Sequence, residues 1–238
     1  MAKIVRMRKL FAGIVTTFAV LALAGPQAAA QLRAPVPARP DALMSVLTAE
    51  VMTVLNKDES EARSKEFAQL VESRIVPMFD FERMTHLALA RNWRLASPAQ
   101  QLALTGQFKT LLVRTYSRAL LDYRDQPIDY KPLRTAAGQT EVTVRSAMRR
   151  PGAEPLTIDY DMADGVTGWQ VYDVKIAGVS LVLAYRESFA DIVRSSGIDG
   201  LVKSLEDKNQ QNDSGTGGGA AKLAPVLLIY GASRTARP

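Results

Sequence analysis

Residues Glu141 to Ile176 read EVTVRSAMRR-PGAEPLTIDY-DMADGVTGWQ-VYDVKI. In the first run Val142, Val144 and Met148 share one side, and in the second Leu156, Ile158, Tyr160 and Met162 alternate with Thr157, Asp159 and Asp161. Alternation of this kind marks a half-buried β-strand, with one face covered and one wet. Pro151-Gly152 and Asp164-Gly165 supply the turns between runs. The third run, Gly168 to Ile176, is apolar on both sides, with Trp169 and Val171 opposed to Tyr172, Val174 and Ile176, which predicts a strand covered on both faces. Strands joined in succession by short turns make an antiparallel meander.

Upstream, the period lengthens to that of a helix. Ser97, Pro98 and Gln100 form a capping box with proline at the first helical position. The helix they open runs to about Tyr123, with Leu104, Phe108, Leu111, Leu112, Thr115 and Ala119 as its buried stripe. An earlier helix begins at Asp41, read as the N-cap, and carries Leu43, Leu47, Val51 and Val54 on one face. After a polar break at Asn56-Lys57-Asp58, a second helix spans Glu61 to about Val76, turns Phe67, Leu70, Val71 and Ile75 inward and stops at Pro77. Asp80 caps a short helix in which Phe81, Met84 and Leu87 share a face. Two more short helices follow the sheet, Ser188 to Ser195 and Asp199 to about Lys208, the latter with Leu201, Val202 and Leu205 inward. Helices, then a meander, then helices is an α+β pattern with the helices gathered on one side of the sheet. A curved sheet wrapped on helices encloses a pocket more readily than a solid interior.

The ends read differently from the body. Lys3, Arg6, Arg8 and Lys9 form a basic leader without an acid, followed by an apolar run from Leu10 to Ala24 and the small residues Ala28-Ala29-Ala30. The run is short of the ~20 residues a membrane span needs. Residues 1–30 are therefore expected to be a cleaved export signal, with the mature chain starting near Gln31 and ending outside the cytoplasm. Gln31 to Pro40, with Pro35, Pro37 and Pro40, reads as an extended leader to the body. Residues 31–212 are expected to form one folded domain. From 213 to 238 the composition turns to Ser-Gly-Thr-Gly-Gly-Gly-Ala, a flexible linker, and then to the apolar run Leu223–Tyr230. That last run reads as a disordered tail, a docking peptide or an added strand.

Of the formal net charge of +6, the leader carries +4 and the tail +2, so the body is neutral and no nucleic acid is expected as a partner. The chain has no cysteine, which removes disulfides, thiolate metal sites and thiol catalysis. Its single histidine, His86, has no second histidine with which to hold a metal and is read as a capping or packing residue. Asp159 and Asp161 share a strand face that is normally the wet one. No Gly-x-Ser-x-Gly elbow is present, and Gly215–Gly219 lacks the Lys-Ser/Thr of a phosphate loop. No catalytic group and no metal site is expected.

Three stretches carry a family likeness. The first is Ile75-Val76-Pro77-Met78-Phe79-Asp80-Phe81 together with Trp93-Arg94-Leu95-Ala96-Ser97-Pro98, and the second is Leu111-Leu112-Val113-Arg114-Thr115-Tyr116. The third runs from Gly168-Trp169-Gln170-Val171-Tyr172-Asp173-Val174 through Ile176-Ala177-Gly178-Val179-Ser180-Leu181-Val182 to Tyr185-Arg186. Together they resemble the MlaC family, periplasmic components of a bacterial phospholipid transport system, over roughly Asp41 to Asn209. Ala90 departs from that family, which often has glycine before the Trp-containing turn.

The resemblance implies a nuclear-transport-factor-2-like fold: a curved antiparallel meander sheet packed against helices, with a lipid pocket between them. It implies a carrier, not an enzyme, with bound phospholipid as cargo and no cofactor. The partners it implies are an inner-membrane ABC transporter complex and an outer-membrane lipoprotein-porin complex, between which phospholipid is shuttled to maintain outer-membrane asymmetry. The candidate lipid-binding residues are Leu87, Trp93, Phe108, Leu112, Tyr116, Val144, Ile158, Tyr172, Val174, Val179 and Leu181. Gly178 is expected to permit a tight turn, and Asp173 and Arg186 are expected to pair. An exported adaptor whose interior is filled by side chains is the alternative. An enzyme relying on Asp159, Asp161 or His86 is a third reading.

Overall fold

The computed structural model describes residues 39–122, 126–134 and 138–213; the segment expected to be an export signal, the expected start of the mature chain near Gln31, Tyr123 and residues 214–238 lie outside them. Two helices lead, α1 (Pro40–Leu55) and α2 (Glu61–Leu70), the second continued by a π turn (Val71–Ile75) and a 3-10 turn (Val76–Met78). Then come α3 (Phe81–Leu89), a 3-10 turn (Ala90–Leu95) and the long α4 (Pro98–Asp122). The strands are β1 (Ile128–Tyr130), β2 (Glu141–Arg150), β3 (Ala153–Gly165), β4 (Gly168–Ile176) and β5 (Val179–Ser180), and α5 (Arg186–Asp213) closes the fold.

The helix starts follow their capping chemistry. Gln100 N donates to Ser97 Oγ at 3.3 Å and Ser97 N donates to Gln100 Oε1 at 2.9 Å, which completes the box that opens α4. Asp80 accepts from Arg83 N at 2.9 Å, and Ser60 accepts from Arg63 N at 3.1 Å. Asp41 is not the cap of α1. The helix starts one residue earlier, with Pro40 in the first turn and Arg39 at the cap without a side-chain bond. Gly197, at φ 71° and ψ −174°, breaks α5 into two helical segments, matching the two helices the sequence separates at this point.

The sheet is a meander in the order β1-β2-β3-β4-β5, antiparallel throughout. Asp161 faces Asp173 while Met162 faces Val171, so Tyr172 is an extra residue on β4. This bulge reverses the parity of the strand. It corrects the two-sided reading of β4, because Trp169, Val171, Val174 and Ile176 all reach the inner face and Tyr172 is sent outward. Ala177 (φ 48°) and Gly178 (φ 80°) form the two-residue turn that returns β4 onto β5, with Ile176 paired to Val179. Asp173 and Arg186 do not pair. Asp173 accepts from Val182 N at 3.3 Å, and the Arg186 guanidinium donates to the Leu87 carbonyl at 2.8 Å.

Two apolar clusters hold the molecule together. In the helical one, Phe108 lies 5.1 Å from Tyr185 and 5.2 Å from Phe189 between ring centres, and Leu104, Leu111, Leu201 and Leu205 seal α4 against α5. The other lies on the inner face of the sheet, from Val142 and Val144 across to Met162 and Val171, and takes in Leu43 and Met44 of α1. Phe79 and Tyr116 touch both clusters. Between the clusters the packing opens.

Candidate functional site

The opening is a cavity of about 240 Å³. One wall is α1, through Met44, Leu47, Thr48, Val51 and Met52; opposite it is the inner face of the sheet, through Leu156, Ile158, Tyr160, Val174 and Ile176. Leu112, Val113, Tyr116 and Ser117 of α4 form the floor, and Phe79, Phe81 and Met84 close one end. Val71 and Ile75 also face inward. They mark the ends of the π turn, where Val76 N bonds back five residues to Val71 O and the widened turn sets both side chains on one face. Among the described residues none that lines the cavity is charged.

A space of this size walled by apolar side chains and partly open to solvent is the form of a ligand pocket. Four methionines, Met44, Met52, Met84 and Met148, face it. Their unbranched thioether chains adapt to an occupant of variable shape.

The few polar groups at the wall are phenols and hydroxyls held neutral. Thr48 Oγ1 and Tyr130 Oη share a hydrogen bond of 2.6 Å, and the rings of Tyr130 and Tyr160 stack at 6.4 Å. Burial pushes Tyr116 up to about 12 and also raises Tyr160 and Tyr185 well above the ordinary phenol value. The Tyr116 and Tyr185 hydroxyls are buried and face each other without meeting hydrogen-bond geometry. Among the described residues of the wall, the ionisable side chains are the tyrosines Tyr116 and Tyr160, which burial keeps protonated.

The structure brings Leu112, Tyr116, Ile158, Val174 and Leu181 to the cavity and distributes the other candidates elsewhere. Phe108 is the centre of the helical cluster, and Val144 is sealed in the sheet cluster. Leu87 and Trp93 pack on the outside of the helical cluster, Trp93 stacking on the exposed His86 at 5.5 Å. Val179 packs at the end of the sheet. Tyr172 stands on the outer face with the Arg83 guanidinium 3.6 Å from its ring centre and its hydroxyl donating to Glu141 at 3.3 Å. Asp161 is on that outer face too, but it is buried, not solvated: it accepts from Thr143 at 2.7 Å and pairs with Lys175 at 2.6 Å. Among the described residues no cluster of acids or histidine could hold a metal ion.

The α1 wall and the π turn were not among the sequence candidates. Met44, Leu47, Val51 and Met52 recur at the spacing of an ordinary packing stripe, so nothing in the α1 sequence marks it as a cavity wall.

A helical floor, a curved meander and an uncharged cavity between them define a class of protein that encloses an apolar ligand. The MlaC protein family model matches residues 46–207, and the chain belongs to that family. A phospholipid-binding protein from Ralstonia solanacearum, solved in complex with a phospholipid, is 38% identical and superposes with a TM-score of 0.63, covering 71% of this chain and 96% of that one. The toluene tolerance protein ttg2D of Pseudomonas putida is 24% identical over 152 residues, which cover 63% of this chain and 70% of that protein. The intermembrane phospholipid transport system binding protein MlaC of Haemophilus influenzae is 22% identical over 145 residues, 60% of this chain and 68% of its own length.

Proposed function

We propose that this chain is a phospholipid carrier of the periplasm, which encloses acyl tails in the cavity between α1, α4 and the sheet. The single observation that supports it most is the uncharged wall around 240 Å³ of space. Acyl chains are what such a wall suits, since each methylene taken out of water contributes about 0.8 kcal/mol. A carrier needs no proton-transfer group, and the neutral phenols fit that requirement. The adaptor reading calls for an interior filled by side chains, and the cavity argues against it. Membership of the family supports exchange of cargo with an inner-membrane ABC transporter complex and an outer-membrane lipoprotein-porin complex, and residues 1–30 supply an export signal to reach them. The test is to purify the chain from Gln31 without detergent and extract it with organic solvent for mass spectrometry. Diacyl phospholipid near one equivalent is expected; a folded protein that yields none overturns the reading.

A further inference from the structure

The walls of the cavity are not equally fixed. The sheet is laced by backbone ladders, and α4 is locked to α5 by the helical cluster. Helix α1 differs: five of its side chains line the cavity, and two of them, Thr48 and Met52, are only partly buried. Its C-terminal end is seated, with Val54 and Leu55 buried away from the cavity wall. Toward the N-terminus Leu43 and Met44 rest on the sheet cluster, and polar ties fasten the helix beside them. Arg39 Nη2 donates to the Leu133 carbonyl at 2.9 Å, and Leu133 N donates to Asp41 Oδ2 at 3.2 Å. About two turns beyond Asp41, Thr48 meets Tyr130 at 2.6 Å. Both ties reach the segment of β1 and its extension, a strand only three residues long at the edge of the sheet. A third, Glu50 to Arg74 at 2.7 and 2.9 Å, joins α1 to the π turn that continues α2.

We infer that α1 is the door of the cavity: it swings about its buried C-terminal end, and cargo passes between α1 and the β1 edge when the ties to Tyr130 and Leu133 open. The inference rests on the carrier reading. Ties of this kind suit a door, because a hydrogen bond to an edge strand is exchanged for water at little net cost, whereas the apolar seams of the other walls are not. The seated end keeps the hinge. The Asn56–Ser60 connection to α2 lets α1 tilt without disturbing the floor.

The absence of native cysteine makes the test clean. An Asp41→Cys/Leu133→Cys pair replaces the Leu133 N to Asp41 Oδ2 tie with a covalent one, its formation verified by mass before transfer is measured. Transfer of a fluorescent phosphatidylethanolamine from the loaded protein to acceptor vesicles is followed with the pair oxidised and reduced. Oxidation is expected to slow transfer at least tenfold, and reductant to restore it. Equal rates in the two forms overturn the door. A Tyr130→Phe variant, which removes a tie and adds no bulk, is expected to speed transfer roughly fivefold, the factor set by one hydrogen bond of ordinary net strength; an unchanged or slower rate also overturns it. If neither wild type nor the reduced pair takes up phospholipid, the carrier reading itself fails, and the door with it.

Discussion

Ala90 holds φ 50° and ψ −123° at the C-terminus of α3, a conformation that glycine adopts freely and a Cβ resists. The departure from the family's glycine thus leaves the backbone path intact and places strain in it. Ala90→Gly is expected to stabilise the protein by about 1 kcal/mol, measured as a higher urea midpoint. Truncations elsewhere separate solid core from surface. Phe108→Ala opens a new void among packed rings and is expected to cost about 3–5 kcal/mol, whereas Tyr172→Phe removes only an exposed bond to Glu141 and is expected to cost under about 0.5 kcal/mol; thermal unfolding of the two variants compares them. That contrast was not legible in the sequence. Both aromatics sit in apolar runs, and only the bulge at Tyr172 sends one of them outward.

Among the elements, those with a chemical start signal were the readable ones. Ser97 with Gln100, and Asp80, announce their helices through bonds the side chains then make. The meander was readable because Pro151-Gly152 and Asp164-Gly165 force short returns. The π turn at Val71–Ile75 was not, since it inserts a residue into a helical pattern that otherwise continues. Nor was the role of α1, whose apolar face looks the same whether it meets atoms or a void. The Arg39 hydrogen bond holds the Asp41 carboxyl below the usual carboxylate range, with the Leu133 and Ala42 amides adding to it against the opposing effect of burial. A carboxylate with a depressed value stabilises the fold above its unfolded value of about 3.9 and loses that contribution as the pH falls through its folded value. Wild type is therefore expected to exceed Asp41→Ala by about 0.5–1 kcal/mol at neutral pH, with the gap closing below about pH 4. Urea midpoints of both proteins between neutral and acid pH measure it.

For the molecule as a whole, the two clusters supply stability and the space between them supplies function. The sequence placed Leu112, Ile158 and Val174 among apolar residues but could not separate cavity wall from core, because an acyl chain and a leucine ask the same of their neighbours. Bulk added at the two kinds of position behaves differently. A larger side chain in a filled core costs about 1–3 kcal/mol; in the cavity it takes up space already present. Leu112→Trp is accordingly expected to fold with a stability within about 1 kcal/mol of wild type while occupying the place of the tails. The most direct measurement of the central claim is the phospholipid content of wild type and Leu112→Trp by native mass spectrometry after detergent-free purification. The account predicts a bound phospholipid in wild type and an empty, folded variant; a folded Leu112→Trp that keeps its phospholipid at the wild-type level would contradict it.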